Sequence, residues 1–220
     1  MLSKLVSYSG LASILGGILF GSAVVFHPLR DGINVLNSGN AYLAIHILGV
    51  YGLMFQLFGL LGLYIREIDV MGRRGLMSFV VLFFGQALFM CVQMVDGVLN
   101  PLLAKTAPQL VHSTADADPT LLLFALPGLG LFFVGYIVFG VSLLRAKVQP
   151  RWGSLLITIG GPVYIIGGLS LSVFGANSPI VSLIEIAGAI PLGLGYILLG
   201  LQLRSTAAIQ GSKAGASMLA

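Results

Sequence analysis

Six apolar segments dominate this chain, and each is long enough to cross a lipid bilayer. A hydrocarbon core about 30 Å thick requires roughly 20 predominantly apolar residues of α-helix. Hydrophobic residues make up 57% of the chain and charged residues only 8%, whereas about 25% of the residues of a soluble domain are charged. The sequence therefore excludes a soluble globular protein and predicts an all-α, polytopic integral membrane protein with six transmembrane helices. The segments cover residues 5–26, 41–65, 75–95, 120–144, 152–174 and 180–203.

These segments account for most of the chain, so we expect one domain. Residues 1–204 are predicted to form a single six-helix transmembrane domain, and residues 205–220, which are small and polar, a disordered cytoplasmic tail. Gly135-Tyr136-Ile137 in the fourth segment is similar to Gly195-Tyr196-Ile197 in the sixth. Three repeated helical hairpins would explain this match, but belts of aromatic residues and packing glycines also arise independently in membrane helices. Both explanations stay open.

The basic residues indicate how the segments are oriented. With the N-terminus inside, nine of the 11 Lys and Arg residues fall on the cytoplasmic side, and only Arg30 and Lys105 fall outside. Such an excess in cytoplasmic loops is the usual pattern of membrane proteins. We therefore expect a multi-pass protein of the cell membrane, with both termini in the cytoplasm, that contacts membrane lipids and no nucleic acid. The nine cytoplasmic residues are Lys4, Arg66, Arg73, Arg74, Arg145, Lys147, Arg151, Arg204 and Lys213.

Motifs typical of soluble enzymes are missing from the sequence. The glycines form neither a Walker motif nor a dinucleotide fingerprint, and no serine lies in a Gly-x-Ser-x-Gly elbow. The single cysteine, Cys91, has no partner for an intramolecular disulfide. We therefore assign no catalytic residue and favour a protein that is not an enzyme, with a metal-dependent membrane enzyme as the least favoured alternative.

Two short stretches carry a resemblance to a known group of proteins. They are Val148-Gln149-Pro150-Arg151-Trp152, before and at the start of the fifth segment, and Ala189-Ile190-Pro191-Leu192 in the last segment. Together with the six segments, they resemble small six-helix bacterial integral membrane proteins grouped as a domain of unknown function. The resemblance implies a topology and no activity.

Glu185 is the residue that most strongly indicates a functional site. It lies six residues into the last segment, roughly 9 Å below the outer end of that helix. An ionisable group at membrane depth is costly, and such groups usually face the bundle interior or a water-filled cavity on the path of an ion, a proton or a substrate. The alternative is a structural, protonated glutamic acid that is hydrogen-bonded to a neighbouring helix.

Two histidines lie near the same outer surface on consecutive antiparallel segments. His27 closes the first segment, and His46 lies five residues into the second. Two imidazoles at this level could bind one metal ion or a haem iron. No supporting motif accompanies them, and Pro28 indicates that the first helix ends there, so interfacial or hydrogen-bonded histidines are the favoured interpretation.

Gln93 and Asp96 extend this group at the outer end of the third segment, while no charged residue lies in the inner half of a segment. A proline at position 191 removes a backbone hydrogen bond and would open the last helix below Glu185. The sequence thus predicts an outward-facing polar pocket. Its expected ligand-binding or proton-coupling residues are Glu185, His46, Gln93, Asp96 and Pro191.

Two glutamines in the membrane interior have a simpler interpretation. Gln56 and Gln86 lie at similar depths on neighbouring antiparallel segments. We expect them to hydrogen-bond across the hairpin, an interaction worth about 0.6 kcal/mol on average in membranes.

Two functional hypotheses follow from these residues. The first is a membrane protein that binds or translocates a small solute or lipid-like molecule through the outer pocket. The second is an accessory or redox subunit of a membrane complex that binds haem or another pigment through His27 and His46. The small size of the chain is compatible with a homo-oligomer or with a subunit of a larger membrane complex.

Overall fold

A computed structural model describes residues 2–28, 40–110, 119–175 and 178–218, and every regular element in these ranges is helical. A π-helical turn over Val95–Leu99 and a 3₁₀ turn over Pro108–Leu110 flank the third α-helix. The α-helices are α1 (Leu2–Val25), α2 (Asn40–Met94), α3 (Asn100–Thr106), α4 (Pro119–Ala146), α5 (Arg151–Leu169), α6 (Leu171–Phe174) and α7 (Pro179–Met218).

Five helices in the described residues are long and apolar enough to cross a membrane. The prediction of an all-α protein is therefore confirmed, together with several helices that are long and apolar enough to span a membrane. The number differs from six because the second and third predicted segments belong to one continuous helical element. The five helices are Leu2–Val25, Asn40–Thr106, Ala125–Ala146, Arg151–Phe174 and Pro179–Ser205.

Helix α2 folds back on itself at Gly72. This glycine has φ 56° and ψ −152°, a conformation that residues with a Cβ rarely adopt. The side-chain amides of Gln56 and Gln86 hydrogen-bond at 3.0 Å, and the rings of Tyr64 and Phe79 stack with their centroids 4.5 Å apart. Both pairs are centred on this turn, so residues 40–71 and 73–94 form two antiparallel arms, the first arm and the second arm.

The helices form a closed ring of antiparallel neighbours. The first arm packs on α1, the second arm on α4, α4 on α5, α5 on α7, and α7 on α1. Small residues bring these backbones together: a Cβ added at Gly16 would lie 2.7 Å from the backbone nitrogen of Gln56, and one at Gly160 would lie 2.5 Å from that of Leu192. Close approach at glycine is the usual way in which membrane helices gain packing energy.

The two ends of the ring differ in chemistry. Arg66, Arg151 and Arg204 lie at one end, where Gln149 of the α4–α5 connection contacts Glu67 of the first arm. We call this the basic end. At the opposite end, the histidine end, His27 contacts His46. The arginines at the basic end belong to the set of Lys and Arg residues from which the orientation was predicted.

Prolines do not break the helices that contain them. Pro127, Pro162 and Pro191 lie inside α4, α5 and α7, and each helix continues past its proline.

Helix α7 also continues to Met218, which differs from the disordered tail expected over residues 205–220. Four alanines between residues 205 and 218 favour this helix, because alanine has the highest helix propensity. Arg30 lies outside the described residues.

Candidate functional site

A small polar cavity lies at the histidine end of the ring. Its volume is about 20 Å³, and a cavity of roughly 10–15 Å³ by this measure holds one water molecule. The structure thus brings together four residues that the sequence singled out, His27, His46, Gln93 and Glu185. His27 follows the end of α1, His46 and Gln93 lie on the two arms of α2, and Glu185 lies on α7. The lining residues are Phe20, Ala23, Val24, His27, Ile45, His46, Gly49, Gln93, Tyr164 and Glu185.

The two histidines meet edge to face in the wall of this cavity. Nδ1 of His27 lies 2.9 Å from the carbonyl oxygen of Pro28, and Nδ1 of His46 lies 3.0 Å from that of Tyr42. A carbonyl oxygen only accepts hydrogen bonds, so each Nδ1 carries a hydrogen and donates it. In the neutral imidazoles both Nε2 atoms are then acceptors, and they face each other at 3.5 Å.

Asp96 lies behind His46, on the π-helical turn. Its Oδ2 atom is 3.4 Å from Nε2 of His46. With neutral histidines and an ionised aspartate, this group consists of acceptors directed at one another. A proton on Nε2 of His46 replaces that repulsion with an ion pair to Asp96.

The π-helical turn also makes room for the His46 ring. A Cβ added at Gly97 would collide with the side chain of His46, which is only 4% exposed. Single π-helical turns inside α-helices are frequent at functional sites. Gly97 therefore belongs to the site, although neither composition nor residue spacing identified it in the sequence.

Glu185 projects from α7 toward the cavity and is 5% exposed. Gly167 of α5 allows the close approach, since a Cβ there would lie 2.7 Å from the backbone nitrogen of Glu185. The amide of Gln93, another lining residue, donates to the Tyr164 hydroxyl at 3.4 Å. Tyr164 was not predicted, because an aromatic residue in an apolar run gives no signal of a polar environment.

Pro191 is the one predicted site residue that the structure leaves well away from the cavity. It lies six residues beyond Glu185 in the uninterrupted helix α7, and it is not among the described residues that line the cavity. Its contribution to a ligand site stays a prediction without structural support.

The cavity does not fit a haem group between the two histidines. Sites for cofactors and other small molecules have volumes of about 300–1,000 Å³, whereas this cavity measures about 20 Å³ and the two Nε2 atoms are 3.5 Å apart. Among the described residues, no three His, Cys, Asp or Glu side chains are placed to hold a metal ion. The geometry thus favours the hydrogen-bonded interpretation of the histidines.

Aromatic side chains close the bundle below the cavity. The rings of Phe20 and Tyr164 lie 5.2 Å apart, and those of Phe89 and Phe132 lie 4.7 Å apart. Phe89 also contacts Tyr164 at 5.8 Å. These four residues, the aromatic layer, separate the cavity from the middle of the bundle.

A ring of four buried polar side chains occupies the middle of the bundle. Gln86 Nε2 donates to Gln56 Oε1 at 3.0 Å, which confirms the predicted bond across the hairpin. Tyr136 and Tyr196, both 0% exposed, complete the ring, with their hydroxyls 3.0 Å apart. These tyrosines therefore belong to the core, so an aromatic belt at the membrane surface, one of the two explanations left open for the Gly-Tyr-Ile match, does not describe them.

The tyrosine hydroxyls have fewer hydrogens than contacts. Tyr136 reaches Gln56 Oε1 at 3.3 Å, Tyr196 reaches Gln86 Oε1 at 3.5 Å, and the hydroxyls also contact each other. Each hydroxyl supplies one hydrogen, so two hydrogens serve three contacts. Two arrangements keep the bond between the hydroxyls, and in each of them one hydroxyl donates to a glutamine oxygen.

The basic end holds a further buried ionisable group. Glu67 is 0% exposed, and Gln149 Nε2 donates to its Oε1 at 2.8 Å. The expectation that buried ionisable groups lie only in the outer half is therefore incomplete. Glu67 follows Arg66 near a helix end, where a carboxylate normally meets solvent, and its burial comes from the distant α4–α5 connection.

No protein family, curated protein or solved structure matches this chain. The resemblance to small six-helix bacterial membrane proteins stays a prediction.

Proposed function

We propose that this protein is an integral membrane protein that binds a small cation at the histidine-end cavity and translocates it through the helix ring. The proton is the cation that suits the cavity best. The observation that supports this most directly is the cavity itself, which gathers His46, Gln93 and Glu185 in a buried polar space. Ionisable residues inside a membrane bundle typically mark the paths of ions and protons.

Charge and size both favour a small cation over the other ligands. Glu185 lines the cavity and Asp96 lies behind His46, while no Lys or Arg is among the described lining residues. A volume of about 20 Å³ admits a proton with its water or a small ion. A lipid-like molecule needs a much larger space, so this alternative is not favoured.

The histidine pair provides a place for the first protonation step. Both Nδ1 atoms are committed to carbonyl oxygens, so an arriving proton is directed to Nε2 of His46 or His27. Asp96, 3.4 Å from His46 Nε2, stabilises the resulting imidazolium. Histidine is suited to this role because one ring nitrogen of a neutral imidazole can accept a proton while the other already donates a hydrogen bond.

Polar groups continue along the axis from the histidine end to the basic end. Gln56 lies ten residues beyond His46 on the first arm, and Glu67 eleven residues beyond Gln56. These steps correspond to about 15 Å and 16 Å of helix. The aromatic layer fills the first gap, so the described conformation is closed, and translocation requires Phe20 and Tyr164 to separate.

Six membrane crossings are consistent with this arrangement. A straight helix of 67 residues, the length of Asn40–Thr106, would extend about 100 Å, far beyond a hydrocarbon core of about 30 Å. The turn at Gly72 instead divides it into two antiparallel arms, each of which is long enough to cross. With the basic end in the cytoplasm, as the distribution of Lys and Arg favours, both termini lie there.

The test is proton flux into liposomes that contain the purified protein and a trapped pH-sensitive dye. Under a potassium diffusion potential, the wild-type protein should acidify the interior faster than protein-free liposomes. Glu185→Gln should lower the flux by about tenfold or more, because a hydrogen bond to a charged group is worth about 1.5–3 kcal/mol and each 1.4 kcal/mol is tenfold.

Asp69→Asn is the matched control for this experiment. Asp69 is exposed near the basic end, so its substitution removes the same charge without touching the cavity, and the flux should stay at the wild-type value. A wild-type flux equal to that of empty liposomes contradicts the proposal. Equal fluxes for the wild type and a folded Glu185→Gln protein contradict the role of Glu185.

A further inference from the structure

The pair Glu67 and Gln149 at the basic end contains two buried oxygens that lack a hydrogen-bond partner. Glu67 is 0% exposed and Gln149 is 6% exposed. Their one mutual bond joins Gln149 Nε2 to Glu67 Oε1 at 2.8 Å. Within the described part of the chain, Glu67 Oε2 and Gln149 Oε1 bond to nothing. A buried polar atom without a partner costs roughly 1–3 kcal/mol, more when it is charged.

One proton supplies the partner that both oxygens lack. A neutral carboxylic acid and a primary amide form a two-bond cyclic pair: the amide N–H donates to the acid C=O, and the acid O–H donates to the amide C=O. The first of these bonds is present between Gln149 and Glu67. A hydrogen on Glu67 Oε2 provides the donor for the second bond, to Gln149 Oε1.

The charged group that contacts Glu67 does not supply the donor that its Oε2 atom lacks. Arg66 is the described residue that forms an ion pair with Glu67, and its Nε lies 3.5 Å from Oε1. A charge-assisted bond is shorter, about 2.7–2.9 Å. The same guanidinium donates from Nη1 to the carbonyl oxygen of Gln202 on α7 at 3.3 Å. Arg66 is thus directed at Oε1 and α7, and Oε2 stays without a donor.

We propose that Glu67 is a proton-binding site whose neutral acid clamps the first arm to the α4–α5 connection through Gln149. Loss of the proton replaces the O–H···O bond by two acceptor oxygens that repel each other, and the connection is released. Lys147 lies in this connection and has φ 57°. This backbone conformation is unfavourable for a residue with a Cβ, so the surrounding contacts must hold it in place. This inference goes beyond the proposed function, because it concerns the opposite end of the bundle and none of the cavity residues.

The composition of the chain makes a direct test practical. Its only glutamates are Glu67 and Glu185, so protein synthesised with glutamate labelled with ¹³C at the side-chain carboxyl gives two carboxyl resonances. Glu185→Gln removes one resonance and assigns the other to Glu67. We expect the chemical shift of a neutral acid for Glu67 near neutral pH, changing to that of a carboxylate only at higher pH. A carboxylate shift near neutral pH overturns the proposal.

Thermal stability as a function of pH provides a second measurement. The folded chain holds the Glu67 proton more tightly than the unfolded chain does, so wild-type stability should fall as pH rises above the ordinary titration range of glutamate. Glu67→Gln retains both hydrogen bonds as an amide–amide pair and has nothing to titrate, so this decline should be lost. Equal pH profiles for Glu67→Gln and the wild type overturn the proposal.

The two measurements do not depend on the transport hypothesis. The labelling experiment uses a chain that retains Glu67 and lacks Glu185, so it is informative even when Glu67→Gln does not fold. A chain that shows no proton flux but keeps a neutral Glu67 near neutral pH rejects the proposed function alone.

Discussion

At the scale of single residues, four polar side chains in the middle of this bundle satisfy one another. Gln56, Gln86, Tyr136 and Tyr196 are all 0% exposed and come from four different helical segments. Gln56 Nε2 additionally donates to the carbonyl oxygen of Gly16 on α1 at 3.2 Å. Buried polar groups are tolerated in an apolar interior when they form such bonds, so this ring fixes the relative positions of helices that apolar contacts alone would leave free to slide.

Tyr136→Phe tests the contribution of this ring to stability. The change removes a hydroxyl that contacts Gln56 and Tyr196 but leaves the aromatic packing in place. We expect a loss of about 1 kcal/mol, because a typical net hydrogen bond contributes about 0.5–1.5 kcal/mol. The measurement is equilibrium unfolding in mixed micelles. Tyr51→Phe is the control, since Tyr51 is 54% exposed, and an equal loss in both variants would contradict a special role for the ring.

Residues of the site differ in how well the sequence predicted them. Glu185, His46 and Gln93 were identified because charged and amide groups are conspicuous in apolar runs. Tyr164 and Glu67 were not, because a tyrosine suits an apolar segment and a carboxylate suits a helix end. Their polar roles arise from partners about 70 and 80 positions away, Gln93 and Gln149, and local sequence does not record such contacts.

At the scale of helices, small residues decide how closely neighbours pack. Gly16 of α1 lies against the first arm, where a Cβ would be 2.9 Å from the carbonyl oxygen of Gly52. Gly130 of α4, by contrast, has nothing within 4 Å of an added Cβ. Glycine therefore serves a close contact at position 16 and none at position 130.

Gly16→Ala and Gly130→Ala form a matched pair of variants. Gly16→Ala must push α1 away from the first arm, and we expect a loss of about 1–3 kcal/mol, the usual cost of overpacking. Gly130→Ala should be neutral or stabilising by up to about 1 kcal/mol, because alanine is the better helix former. Denaturant midpoints of the two proteins in the same detergent check this. If both variants lose stability to a similar extent, the close contact between α1 and the first arm does not explain the cost of Gly16→Ala.

The connection between the second and third predicted segments was the hardest element to predict. Residues 66–74 contain five charged residues and Gly72, which is compatible with an ordinary loop. The structure instead continues the helix up to and beyond Gly72. The three repeated hairpins stay a prediction. Phe58 precedes Gly62 by four residues, as Tyr136 precedes Gly140 and Tyr196 precedes Gly200, but it does not support the repeat, since it is 38% exposed while both tyrosines are buried.

At the scale of the whole molecule, the two ends of the bundle should face different compartments. Lys105 follows the histidine end of the second arm, and Lys147 lies in the α4–α5 connection at the basic end. Both lysines are exposed. The exposed cysteine, Cys91, is the only one in the chain, so its replacement by serine gives a background without other thiols.

Cysteine labelling in intact cells tests this orientation. In the Cys91→Ser background, Lys105→Cys should react with a membrane-impermeant maleimide added outside. Lys147→Cys should react only after the cells are permeabilised. The reverse pattern would place the basic end outside, and labelling of both positions without permeabilisation would contradict a crossing by α4.

The sequence by itself determined the class of protein, the depth of its apolar segments and the end at which His46, Gln93 and Glu185 lie. These properties depend on the composition of each segment and on the constant rise per residue of a helix. Both can be read along the chain without knowledge of contacts between distant segments. Only the tertiary structure decided that the helices form a closed ring, that the cavity admits one small occupant and that Glu67 is buried against Gln149. Those outcomes depend on contacts between distant segments, and a one-dimensional pattern does not specify which faces of the helices meet.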